Sequence, residues 1–217
     1  MQEFVIKAES VDDAIKQFIS EKKALSKEYE YHVKNEASNG FLNIFGSKQA
    51  KVKFVLPDFE DRILFYLKEL LMRLKIEYSE ITKKIEGNNY YFDIVDAKEA
   101  GFLIGKEGQF LESLQLLVNR RANIIGDKVR VFLDVEDYRK RKERRFMDNL
   151  KKMVNKTKKT HKPVTMRPMN SANRRIVHQY VKNDKSLRTM TVGRGSQRRV
   201  VIMPSNYNKN KIRRNKR

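Results

Sequence analysis

Residues 101–123 read GFLIGKEGQFLESLQLLVNRRAN, and the reading of the chain turns on them. Gly105 and Gly108 bracket the charged pair Lys106 and Glu107, with apolar helical patterns on both sides. Downstream, Phe110, Leu114, Leu117, Val118 and Arg121 follow the i, i+4, i+7, i+8, i+11 spacing of an amphipathic helix, which predicts one buried face. A Gly-x-x-Gly joint between two helices lets backbone come close to backbone. Its N–H groups then point at an anion placed at the N-terminus of the second helix. The chain reads as a nucleic-acid binder.

Working outward, Pro57 opens a helix running to about Lys75, with Ile63, Leu64, Leu67, Leu70, Leu71 and Leu74 apolar. Strands follow at Ile76–Ile85 and Tyr90–Val95, joined by the Glu86-Gly87-Asn88-Asn89 hairpin. After the glycine joint and its helix, Val129, Val131, Leu133 and Val135 alternate as a third strand. The order α-β-β-α-GxxG-α-β resembles the KH topology common in bacteria. A KH domain clamps the sugar-phosphate backbone of about four single-stranded nucleotides. Lys106 is then the natural phosphate contact, and Glu107 faces solvent. An ordinary helix–helix connection is the plainer reading. A Walker loop is excluded because the Gly-Lys-Ser/Thr ending is missing.

Two further segments flank this one. In residues 1–56, Phe4, Ile6 and Ala8 alternate as a strand, and Ser10 is an N-cap for a helix burying Val11, Ala14, Ile15, Phe18 and Ile19. A strand at Tyr29–Lys34 and alternation at Ala50, Val52, Phe54 and Leu56 complete β-α-β-β. Between them lies an apolar loop with Gly40, Phe41, Leu42 and Phe45, either a partner site or a patch packed beneath its own sheet. In residues 138–205, a basic helix at 138–159 precedes a strand at Val164–Met169 and a helix capped by Asn170 or Ser171. Strands at Leu187–Val192 and Arg198–Met203 close that segment. Residues 206–217 read as a disordered basic tail. The fold class is α+β, in three small modules at 1–56, 57–137 and 138–205.

Charge is unevenly placed. Of the formal net +21, residues 138–217 hold 27 Lys and Arg against Glu143, Asp148 and Asp184, while the first 137 residues hold 21 basic and 24 acidic side chains. Such a basic half points to a polyanion, because neutralising phosphates releases condensed counterions. The basic helix has only a narrow apolar stripe of Phe146, Leu150, Met153 and Val154, suited to packing on a domain rather than entering lipid. The chain has no cysteine, which excludes a disulfide framework and thiolate metal sites. It shows no signal peptide and no apolar run of membrane-spanning length, so a cytoplasmic protein without membrane insertion is expected.

Catalysis has little support. His32, His161 and His178 fall in different segments, and no His/Asp/Glu cluster has metal spacing. No enzyme activity, cofactor or metal is expected. Arg174 and His178, four apart, share one face of their helix. Arg174 stays charged and can fork onto a phosphate, whereas His178 is either an RNA contact or a hydrogen-bonded core residue. Arg194, Arg198 and Arg199, on and beside a glycine-flanked hairpin, are further phosphate contacts, or else a solvated turn.

Three signals in one order resemble a known family. Arg174-x-x-x-His178, inside MNSANRRIVHQYV, resembles the motif that names a class of single-stranded nucleic-acid binding domains. GKEG, residues Gly105, Lys106, Glu107 and Gly108, resembles the KH loop. SVDDAI with GFLNIFGSKQAKV resembles the N-terminal domain of the Jag family, also called KhpB. The resemblance implies a bacterial cytoplasmic RNA-binding protein and RNA chaperone, linked to cell elongation, division and peptidoglycan homeostasis. It also implies a small partner consisting of one KH domain. Single-stranded DNA as ligand, a protein adaptor of the cell-wall machinery and a ribosome-assembly factor stay open as alternatives. So does a homo-oligomer paired through an apolar helix face.

Overall fold

The computed structural model of the chain describes residues 1–36, 49–126 and 128–207. The expected partner loop, with Gly40, Phe41, Leu42 and Phe45, and the tail from 208 lie outside these residues. The chain divides into two compact units, Met1–Tyr138 and Arg139–Arg217.

The first unit begins with β1 (Gln2–Ala8) and α1 (Val11–Lys22). The Asp13 N–H donates to the Ser10 side chain at 3.1 Å, satisfying one of the amides left unpaired at the start of α1. β2 (Glu30–Asn35) and β3 (Ala50–Leu56) complete an antiparallel sheet in the order β1-β3-β2. The alternating residues Ile6, Val52, Phe54 and Leu56 meet Ala14 and Phe18 of α1 in a core of their own. Phe18 and Phe54 stack there with ring centroids 4.1 Å apart.

In the same unit, α2 (Phe59–Arg73) leads into β4 (Glu80–Glu86) and β5 (Asn89–Val95). These pair as a hairpin through Gly87, whose φ of 57° is the left-handed backbone such a turn requires. Next come α3 (Ala100–Ile104), the glycine joint, α4 (Gln109–Ile125) and β6 (Arg130–Val135), which pairs parallel to β5. Element order agrees with the sequence expectation. Two details differ. β4 starts four residues later than expected, because Lys75 takes a left-handed φ of 58° and Ile76 donates back to Leu71 to close α2. On α4 the buried stripe is Leu111, Leu114, Val118, Arg121 and Ala122, while Leu117 is half exposed. The helix is thus turned by about one residue from the face its apolar spacing suggests.

A buried ion cluster ties α1 and the turn after it to α2 and α4. The Glu28 carboxylate is fully buried and takes Arg62 Nε at 3.0 Å and Arg121 Nη2 at 2.6 Å. It also accepts the Leu25 N–H at 2.8 Å, and Arg62 donates to the Lys22 carbonyl at 2.9 Å.

The second unit is built on α5 (Tyr138–Thr160), β7 (Val164–Thr165), α6 (Ser171–Lys182), β8 (Leu187–Val192) and β9 (Arg199–Pro204). Its sheet has the order β7-β9-β8, all antiparallel. Leu150 and Val154 of α5 and Val177 and Val181 of α6 pack on Val200 and Ile202. Asn170 is the cap of α6, accepting the Asn173 N–H at 2.9 Å. β7 is shorter than expected; Pro168, lacking an N–H, interrupts the ladder.

Candidate nucleic-acid interface

The glycine joint is set by backbone that only glycine adopts easily. Gly105 ends α3 at φ 69°, ψ −174°, its N–H donating to the Gly101 carbonyl at 2.9 Å. A Cβ there would lie 2.7 Å from Phe110 Cβ and 3.1 Å from the Phe110 nitrogen. Lys106–Gly108 form one tight turn, and Gly108 at φ 83° is the entry to α4. A Cβ on Gly108 would press the Tyr138 ring at 2.9 Å. The backbone-to-backbone approach expected of Gly-x-x-Gly is therefore present at Gly105, whereas the near neighbour at Gly108 is a side chain, the Tyr138 ring. Lys106 and Glu107 are exposed at the tip. Within the joint the Gly108 N–H donates to the Gly105 carbonyl at 3.3 Å and the Gln109 N–H to the Lys106 carbonyl, so the turn is closed by its own backbone, and α4 starts directly behind it with the positive end of its dipole toward the joint.

One residue here escaped the sequence reading. Phe102, three residues before Gly105, is 54% exposed, with its ring 5.0 Å from that of Phe110. An exposed aromatic ring is of the kind on which a base can stack. Its signal was visible as a pair of phenylalanines bracketing the joint, but apolar periodicity assigns such residues to the core.

In the second unit, Arg174 and His178 do share one face of α6, and both are half-buried. Arg174 Nη1 donates to the Met169 carbonyl at 2.8 Å. The His178 ring sits between two hydroxyls of β8, Nδ1 at 2.6 Å from Thr189 Oγ1 and Nε2 at 2.9 Å from Thr191 Oγ1. A neutral imidazole has one donor and one acceptor, and two hydroxyls can match either arrangement. Burial, and then the Arg174 charge, holds the imidazole below its ordinary pKa. His178 thereby pins α6 to β8, and Arg174 one turn earlier inherits its position. Arg194 and Arg198 are exposed on the β8–β9 hairpin, and Arg199 is half-buried at its base. Gly193 makes that hairpin possible: at φ 94° its Cβ position lies 2.5 Å from the Gln197 carbonyl oxygen. Thr191 is two residues from Gly193, so the His178 ring reaches toward the hairpin end of β8. α5 adds eleven Lys and Arg against Glu143 and Asp148.

His178 should titrate below 6.5 in the folded protein, read from ring proton shifts by NMR. The fold favours the neutral ring, so the unfolded chain takes up the proton first. Stability of the second unit is therefore full above the ordinary histidine pKa and falls as pH drops through it. A midpoint at or above 6.5 would mean that burial and the Arg174 charge do not govern the ring.

Among the described residues no group of three or more His, Cys, Asp or Glu is arranged to hold a metal ion. No helix among them is long and apolar enough to cross a membrane.

Comparison with known proteins adds to this geometry. The family model described as "Jag N-terminus" matches residues 6–55, and the model of the domain named for the Arg-x-x-x-His motif matches residues 144–204. An RNA-binding protein KhpB of Clostridium symbiosum is 32% identical over 210 residues, covering 93% of this chain and 91% of the relative. The RNA-binding protein KhpB of Bacillus subtilis is 29% identical over 197 residues, covering 89% and 94%. With two matched modules in the family's order and a full-length relative above 30% identity, this chain belongs to the Jag/KhpB family.

Proposed function

We propose that this protein binds single-stranded RNA, and that its middle module, residues 57–137, is a KH domain gripping the sugar-phosphate backbone at Gly105-Lys106-Glu107-Gly108. The observation that carries this is the joint itself. Two glycines at positive φ bring the end of α3 against the N-terminus of α4, and Lys106 stands exposed at the tip. The second unit adds electrostatic affinity through α5, Arg174 and the Arg194, Arg198 and Arg199 hairpin. His178 acts there by holding α6 in place. The relatives' names as RNA-binding proteins favour RNA over DNA. In the cell we place the protein as a non-enzymatic, cytoplasmic RNA chaperone and post-transcriptional regulator serving cell elongation, division and peptidoglycan homeostasis. A small single-KH-domain protein is its expected partner.

The test is fluorescence anisotropy of the full chain on matched single-stranded RNA, single-stranded DNA and duplex oligonucleotides across a salt series. Lys106→Asp is expected to weaken single-stranded RNA binding several-fold and to lower the slope of log K against log salt by about 0.7 per lost phosphate contact. Equal, steeply salt-dependent binding to all three, unmoved by the substitution, would mean that general basic charge accounts for the affinity and the joint does not.

A further inference from the structure

Among the described residues β6 is an edge strand, paired with β5 on one side only. Such an edge normally displays unpaired N–H and C=O groups. A displayed edge offers both donors and acceptors, and so can hydrogen-bond the Watson–Crick edge of an unstacked base. In a parallel pair alternate residues turn both backbone groups to the same side, and on β6 the outward set is Val131, Leu133 and Val135.

All three outward N–H groups of β6 already have side-chain partners. Asn119 of α4 clamps Val131 from both directions: its Oδ1 accepts the Val131 N–H at 2.7 Å, and its Nδ2 donates to the Val131 carbonyl at 2.6 Å. One turn earlier on the same helix, Gln115 Oε1 accepts the Leu133 N–H at 3.0 Å. Asp134 Oδ1 accepts the Val135 N–H at 2.9 Å. Asn119 is held in turn by the Gln115 carbonyl, at 3.0 Å from Nδ2. The α4 amides thus behave as an additional strand laid along β6.

Gln115 and Asn119 follow Gly108 by seven and eleven residues, about 10 and 16 Å along the helix. Nucleotides leaving the joint along α4 therefore meet this edge and find it occupied. We infer that the middle module holds single-stranded RNA by its backbone without reading base edges, because Gln115 and Asn119 close the β6 edge. They act as specificity-determining residues by exclusion. What remains for bases is apolar contact and stacking, for which exposed Phe102 has a suitable ring and which every base can use. A module built this way accepts many RNA sequences and takes its selectivity from strandedness.

This inference rests on the RNA-binding reading of the glycine joint, and the experiment separates the two. Isotope-labelled full-length protein is titrated by NMR with octamers of uridylate, adenylate and cytidylate. The expected result has two parts. Gly105, Lys106 and Gly108 amides shift with all three RNAs, at affinities within about fivefold, less than a single base-edge contact contributes. The Val131, Leu133 and Val135 amides and the Asn119 side-chain NH₂ keep their free-state positions. Shifts at Val131, Leu133 and Asn119 with one octamer in preference to the others would overturn the inference while leaving the joint's role intact. Silence at the joint with all three octamers would overturn both.

Discussion

Glu28→Ala is expected to destabilise the first unit by about 3–5 kcal/mol, the cost of removing one partner from a buried ion cluster. The Glu28 carboxylate is fully buried, and the Arg62 and Arg121 side chains are 7% and 9% exposed. One carboxylate serves two guanidiniums, so its loss leaves two buried cations facing each other with no counter-charge. The Lys22 carbonyl, which Arg62 already uses, partly compensates one of them. Nothing comparable serves Arg121, whose Nε is buried without a hydrogen-bond partner among the described residues. Denaturant unfolding followed by tyrosine fluorescence measures the effect. Neutral replacement of all three (Glu28→Met, Arg62→Met, Arg121→Met) should recover most of the loss, because the desolvation of three charges disappears with them. A Glu28→Ala loss below about 1 kcal/mol, the range of an exposed pair, would mean that water reaches the cluster.

Gly105→Ala should act on stability and on RNA affinity together. Its φ and ψ of 69° and −174° lie in a region that is essentially closed to residues with a Cβ, at a cost of about 1–3 kcal/mol. Overpacking against Phe110 adds about 1–3 kcal/mol, because the obstructing atoms are the Phe110 Cβ and backbone rather than a movable side-chain end. The chain can relieve this only by opening the joint, which moves α3 away from the start of α4 and breaks up the proposed phosphate grip. Affinity for single-stranded RNA is expected to fall by about tenfold or more, the equivalent of about 1.4 kcal/mol. Gly87→Ala is the control. That glycine also has positive φ, but open space surrounds its Cβ position, so a smaller stability loss and unchanged RNA affinity are expected. Gly105→Ala protein that binds RNA as tightly as wild type would detach the joint from the proposed function.

The two substitutions probe features that differ in how far they could be read from residue order. Gly105 and Gly108 announced themselves: four residues, two glycines and a helical pattern on each side leave few alternatives for the backbone. Ser10 as a cap, the Gly87 hairpin and the alternation of Val131, Leu133 and Val135 are equally local. Each rests on forces acting within a few residues, such as φ preference, capping and side-chain periodicity. Leu117 shows where periodicity fails. Leu114, Leu116, Leu117 and Val118 crowd several sides of α4, and spacing alone did not tell which side faces the sheet. Packing decided it, burying Leu111 and Ala122 and leaving Leu116 and Leu117 outside.

Residue chemistry and spacing were enough for an α+β fold in small modules, a basic second half, a glycine joint between two helices and an Arg-x-x-x-His helix, since each is written in short stretches of chain. Other features needed the folded molecule. Glu28 meets Arg121 across 93 positions, Asn119 meets Val131 across 12, and His178 meets Thr189 and Thr191 across 11 and 13. No periodicity encodes those pairings. They arise because a buried carboxylate, an unpaired strand edge and a half-buried imidazole must each find a hydrogen-bond partner once water is withdrawn, and the partner is whatever the packing brings within about 3 Å.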